Sequence, residues 1–145
     1  GSIGTRAYQM ALYVLFETGI QMMADNPVLY YQNPDCAQFM ADVPVQTDET
    51  VSMAAKLGEY VIVAKRKGNK WYIGGMTNSA ERQRVFELPL DFLPEGKTYK
   101  MTSYEDGVNA NRQAMHYIKN VKNVKKGDVI KIRMARNGGF AAVLE

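Results

Sequence analysis

The chain has 145 residues, of which 46% are hydrophobic and 23% charged, and 18 basic against 15 acidic side chains leave a net charge of +3. This is the balance of a soluble globular protein, and it excludes a disordered tail, a collagen-like fibre and a disulfide-dense miniprotein. A chain this long buries roughly 68–70% of its unfolded surface without staples, and its charge is too mild to make nucleic acid or an anionic membrane the expected partner.

The sequence opens Gly1-Ser2 with no initiator Met, as a cut inside a longer protein would. From Thr5 to Ala24 only Gly19 interrupts a helical pattern, and most residues between Ala7 and Met23 are apolar or aromatic. The polar exceptions Gln9, Glu17 and Gln21 gather on one side, so the helix needs cover over most of its circumference. Arg6, Gln9, Glu17 and Gln21 exclude a membrane span and a signal-peptide core. Two readings remain: the helix is the hub of this domain, or it packs against a larger body. The second is favoured, because the rest of the chain supplies only a modest sheet, and Leu12, Phe16, Ile20 and Met23 are its expected docking or self-association face.

Asn26-Pro27 and Asn33-Pro34 punctuate the chain next. Pro34 suits the first position of a short helix through about Asp42, with Asn33 as N-cap and Cys36, Phe39 and Met40 as its buried side. Tyr30 and Tyr31, between the two breaks, read as packing residues.

After Pro44 the period changes. Short β-rich segments recur at Glu49–Lys56, Tyr60–Lys65, Lys70–Thr77, Arg82–Leu88, Lys97–Tyr104, His116–Val124, Val129–Met134 and Phe140–Leu144, separated by turn chemistry such as Leu57-Gly58, Lys67-Gly68-Asn69 and Asn137-Gly138-Gly139. The expected fold is therefore mainly β: an antiparallel sandwich of about eight strands preceded by one long and one short α-helix. The helical segment covers 1–43 and the all-β domain 44–145. Ile130, Ile132 and Met134 face inward in their strand while Lys131 and Arg133 face out. Trp71, Ile73 and Gly75 share one face and Tyr72, Gly74 and Met76 the other; alternation alone does not say which lines the core.

Little in the sequence carries chemistry. Cys36 and His116 are each alone, which rules out an intrachain disulfide, a thiolate zinc cluster and a His-rich metal site. The paired carboxylates Asp48-Glu49 and Glu105-Asp106 point to opposite faces of a strand and abut turns, so they read as solvated loop groups, and no catalytic residue is expected. Lys65, Arg66, Lys67 and Lys70 beside Trp71 and Tyr72 read as a solvated hairpin tip ahead of a single-strand nucleic-acid surface. Trp71, Tyr72 and Tyr104 are candidate sugar platforms if they are exposed, since flat rings cover sugar C–H faces; core packing is the competing reading.

The chain resembles glycoside hydrolase family 97. Gly4-Thr5-Arg6-Ala7 with Gln9, Ala11 and Tyr13, then Gln21-Met22 and Ala24-Asp25-Asn26-Pro27, are similar to the end of that family's catalytic barrel. Asp48-Glu49-Thr50, Gly58-Glu59-Tyr60, Ala64-Lys65-Arg66, the run Trp71–Asn78, Asp106-Gly107-Val108-Asn109-Ala110 and Gly138-Gly139-Phe140-Ala141-Ala142 continue the likeness in order. The family comprises calcium-dependent α-glucosidases and α-galactosidases with an N-terminal β-sandwich, a (β/α)8 barrel and a C-terminal all-β domain. The resemblance implies that this chain is the end of the barrel plus the C-terminal domain. The catalytic and calcium-binding carboxylates would then lie upstream of Gly1, with no metal or cofactor held here.

The expected function is a non-catalytic module that supports the upstream barrel or promotes oligomerisation, inactive alone, within a parent that hydrolyses α-glycosidic bonds. The alternatives are an accessory carbohydrate-binding module and a protein-interaction β-domain. Expected partners are the barrel and further copies of the chain, with carbohydrate in the alternative and neither nucleic acid nor membrane. A periplasmic or secreted location follows from the resemblance alone.

Overall fold

The structure, a computed structural model, describes residues 5–16, 34–107 and 117–145. These residues form two helices, α1 (Arg6–Leu15) and α2 (Pro34–Asp42), and eight strands: β1 (Glu49–Lys56), β2 (Tyr60–Lys67), β3 (Lys70–Thr77), β4 (Gln83–Pro89), β5 (Thr98–Asp106), β6 (Tyr117–Lys125), β7 (Val129–Ala135) and β8 (Gly139–Leu144). The fold is mainly β, as the alternation and turn signals predict. His116, Tyr30, Tyr31, Ile20, Met23 and the expected Asn33 cap lie outside the described residues.

All strand pairs are antiparallel. Six strands form one sheet in the order β1-β2-β3-β8-β5-β6, and β4 and β7 form a second. β8 enters between β3 and β5, placing Trp71 opposite Leu144 on one side and Tyr104 opposite Ala141 on the other. The smaller sheet covers one face of the larger around Trp71, Ile73, Met101, Ile130, Ile132, Phe140 and Leu144. The helices cover the opposite face around Met10, Val14, Phe39, Met40, Tyr72, Tyr104 and Ala141. The molecule thus has three layers, and both faces of β3 are core.

α1 starts at Thr5, whose side-chain oxygen accepts from the Tyr8 backbone N–H at 3.1 Å, the N-cap arrangement that satisfies an otherwise orphaned donor. It ends earlier than the apolar pattern suggests, with Phe16 already extended. Lys65 Nζ donates to the Leu15 carbonyl at 3.3 Å, so a side chain of β2 takes up the end that a further turn would have satisfied. α2 runs as expected, with Cys36, Phe39 and Met40 buried, and the Tyr72 hydroxyl donates to the carbonyl of its last residue, Asp42, at 3.2 Å.

The sheet seats α1 through glycines. A Cβ on Gly74 would lie 2.7 Å from Val14 Cβ and 3.1 Å from the Ala11 carbonyl oxygen, and one on Gly139 would lie 2.5 Å from Tyr8 Cα. Only residues without a side chain let helix and sheet approach so closely. Ala7, Met10, Ala11 and Val14 fill the seat. The favoured expectation, that a larger absent body covers this helix, is therefore corrected for one face: the sheet itself covers it.

Gly74→Ala is expected to cost about 1–3 kcal/mol by overpacking, whereas Val121→Thr on the exposed side of β6 should stay within about 0.5 kcal/mol. Urea unfolding of the two variants checks the contrast.

Candidate functional site

Trp71, Tyr72 and Tyr104, the sequence-selected sugar platforms, are 2%, 4% and 5% exposed. Trp71 packs against the tilted ring of Phe92, centroids 4.5 Å apart, beneath the smaller sheet, and its indole N–H is buried without a hydrogen-bond partner. Phe39 of α2 meets the Tyr72 and Tyr104 rings edge-on at 6.3 and 5.5 Å. Burial pushes the Tyr104 hydroxyl up to about 12. None of the three offers a ring face to a sugar, which corrects the platform reading: the same aromatic signal marks core here. Cys36 is also packed, and burial raises its thiol pKa, as for an unreactive cysteine.

The basic hairpin is internally neutralised. Arg66 reaches Glu49 at 3.2 Å and Asp48 at 3.6 Å, Lys67 reaches Asp48 at 3.8 Å, and Lys70 reaches Glu145 at 3.8 Å. The Gly68 N–H donates to Asp48 at 2.8 Å, and that bond is the main reason the Asp48 carboxyl sits below its usual range. Asp48 and Glu49 thus behave as the surface carboxylates the sequence predicts.

Asp106 does not. Sequence reading takes it as a solvated turn residue, yet it is fully buried at the end of β5. Its Oδ2 accepts from the backbone N–H of Ala135 at 2.6 Å and of Gly139 at 3.2 Å, and its carbonyl accepts from Arg133. Burial raises its pKa, while the Thr5 hydroxyl, the two backbone N–H groups and Arg133 pull it back. One carboxylate therefore joins β5, the β7–β8 hairpin and the start of α1. Gly138 belongs to the same clamp, because a Cβ there would collide with the carboxylate.

A groove of about 1040 Å³ opens between α1 and the β1–β2 hairpin. Tyr8 and Leu12 form one wall, Ala55–Val61 the other, and Met76, Thr77, Asn78 and Asn137 one end. Leu57 at the hairpin tip is fully exposed, and Phe16, one turn beyond Leu12, is 52% exposed. Several polar groups of the rim already serve the fold. Glu59 pairs with Lys56 and with Arg84, each at 3.0 Å, and Arg84 also donates to Thr77 at 2.9 Å and lies over the Tyr60 ring. Asn78 donates to the Gly58 carbonyl and accepts from the Ala80 N–H. With apolar walls and committed polar groups, the groove suits another apolar protein surface better than a sugar, whose hydroxyls require free partners.

Of the predicted docking face, Leu12 lines the groove and Phe16 is exposed just past the end of α1; Ile20 and Met23 lie outside the described residues. The sequence reading missed Tyr8, Leu57 and Met76. An apolar Leu57 at a hairpin tip, where turn chemistry favours polar residues, was the available signal. Among the described residues no three His, Cys, Asp or Glu side chains gather to hold a metal ion. No described helix is long and apolar enough to cross a membrane.

A family model described as "Glycosyl-hydrolase 97 C-terminal, oligomerisation" matches residues 46–145. A retaining α-galactosidase of Bacteroides thetaiotaomicron is 40% identical over 140 residues, which is 97% of this chain and 21% of that protein. A variant of a glycoside hydrolase family 97 enzyme from Pseudoalteromonas sp. strain K8, solved in complex with panose, superposes with a TM-score of 0.85 at 27% identity, covering 98% of this chain and 22% of that one. The enzyme from the same strain in complex with acarbose gives the same figures. The chain thus spans about a fifth of the length of these relatives, matching their C-terminal part.

Because burial raises the Asp106 pKa, the folded state holds that proton more tightly than the unfolded chain. Its stabilising contribution is full below the unfolded pKa and is lost as pH rises through the folded value. Asp106→Asn carries no such proton, so its stability relative to the wild type should improve between about pH 4 and about pH 7. Urea unfolding at both pH values measures this, and an identical difference at the two would contradict it.

Proposed function

We propose that this chain, which belongs to the glycoside hydrolase family 97 C-terminal domain, acts as the non-catalytic end module of a longer α-glycosidase. It seats the catalytic part of that protein and joins copies of the enzyme to one another. The observation that carries this reading is the groove beside α1: apolar walls, Leu57 wholly in solvent, and Glu59, Thr77 and Asn78 of the rim engaged within the module. In the relatives the greater part of the protein lies N-terminal to the matched region. The occupant we assign to the groove is that catalytic part, packing against Tyr8, Leu12 and Leu57. A helix fixed to the sheet on one face and apolar on another is suited to such a joint.

The parent's reaction class comes by the same likeness. With a retaining α-galactosidase among the relatives, we assign the parent to hydrolysis of α-glycosidic bonds, with any calcium held in the catalytic part. On the same resemblance the parent works in the periplasm or outside the cell.

Titrating the separately produced catalytic part of the parent into this chain tests the assignment. A complex is expected, weakened about tenfold or more by Leu57→Asp, with the module's own thermal midpoint unchanged. The chain alone should not turn over a chromogenic α-galactoside or α-glucoside with calcium present. No binding, or turnover by the chain that an Asp or Glu substitution within it abolishes, would refute the reading.

A further inference from the structure

A sheet edge is an open row of backbone donors and acceptors, which sequences defend with charge, proline or bulges. The edges of this fold are unequally defended. β6, at one side of the larger sheet, carries Lys119, Lys122 and Lys125, and strand alternation sends Lys122 to the face opposite the other two. In the smaller sheet, β4 carries Arg84, Glu87 and Pro89, and β7 carries Lys131 and Arg133. β1, the other edge of the larger sheet, has no charged residue from Thr50 to Ala55, and no described strand pairs with its outer side.

β1 is also self-complementary. Its charges stand at its two ends and are opposite in sign, Glu49 preceded by Asp48 at one and Lys56 at the other. Antiparallel pairing of two copies about the middle of the strand brings the acidic end of each to the basic end of the other, with Thr50–Ala55 between them. The ion pairs these residues make within one copy are at least partly exposed, and Asp48, Glu49 and Lys56 can keep them while meeting the second copy. The register shifts between Ser52 and Ala54, and a bulge of this kind bends an edge away from a generic partner strand. A two-fold arrangement sets bend against bend, making the edge selective for its own copy.

We propose that β1 is the self-association strand: two copies pair antiparallel along it and join their six-stranded sheets into one. The partner is a second copy of this chain. The inference rests on the self-association half of the function proposed above and supplies its surface.

Sedimentation equilibrium of the chain over a wide concentration range tests it, alongside Ser52→Lys and Thr50→Lys, both at exposed positions of β1, and Val121→Lys on β6. The wild type should dimerise. Each β1 variant should raise the dissociation constant about tenfold or more by placing an edge-defending lysine inside the paired segment, while Val121→Lys leaves it unchanged. Amide exchange at Thr50–Ala55 should slow as the wild type is concentrated, a readout that needs no variant. A dimer weakened by Val121→Lys but indifferent to both β1 variants would overturn the β1 assignment and leave self-association standing. A wild type that stays monomeric throughout would remove self-association and this surface with it.

Discussion

β3 and β8 lie in the middle of the six-stranded sheet, and strands so placed need apolar cover on both faces. Their composition meets that need: Trp71, Ile73, Phe140, Ala142 and Leu144 face the smaller sheet, while Tyr72 and Ala141 face the helices. The rest of the architecture follows from this double burial. β4 and β7 exist as a separate pair because one face must be closed, and α1 is drawn onto the other. There Gly74 and Gly139 leave the hollow that a helix with Ala7 and Ala11 on its buried side can enter.

The Asp106 clamp lies at one end of this arrangement and the groove at its side. Through Asp106 the start of α1 is tied to β5 and to the β7–β8 hairpin, so the helix cannot shift without disturbing a buried carboxylate. Through Tyr8 and Leu12 the same helix presents an apolar wall beside its seat. The outer strands β1 and β6 give the core less: Val51 and Met53 of β1 are partly buried against it, and Val124 of β6 lies within it.

The strands were legible from sequence almost to their ends, because alternation such as Ile130, Ile132, Met134 against Lys131, Arg133 and the glycine-bearing turns at Gly58 and Gly68 are local properties. α2 was legible for the same reason. The layering was not. Alternation says that Trp71 and Ile73 share a face and Tyr72 and Gly74 the other, but not that both would be covered. Asp106 was misread because its neighbours look like a turn, while the groups that bury it stand 29 and 33 residues away. The aromatic candidates failed for a related reason: a tryptophan or tyrosine has the same sequence signature in a core as on a binding face, and only α2 and the smaller sheet decide between them. The length of α1 was overread because the apolar pattern runs past Leu15, where Lys65 takes the last carbonyl. Of the groove, Leu12 was anticipated from the helix pattern, and Leu57 was hidden inside a turn signal.

The central claim is that α1 belongs to the same cooperative core as β3 and β8 and is no appendage to it. Native-state amide hydrogen exchange reads this directly, residue by residue. The account predicts that the buried amides of Met10–Val14 exchange with the same opening free energy as those of Ile73 and Ala142, through global unfolding alone. Exchange of α1 at a much lower opening free energy, with the strands still protected, would contradict it.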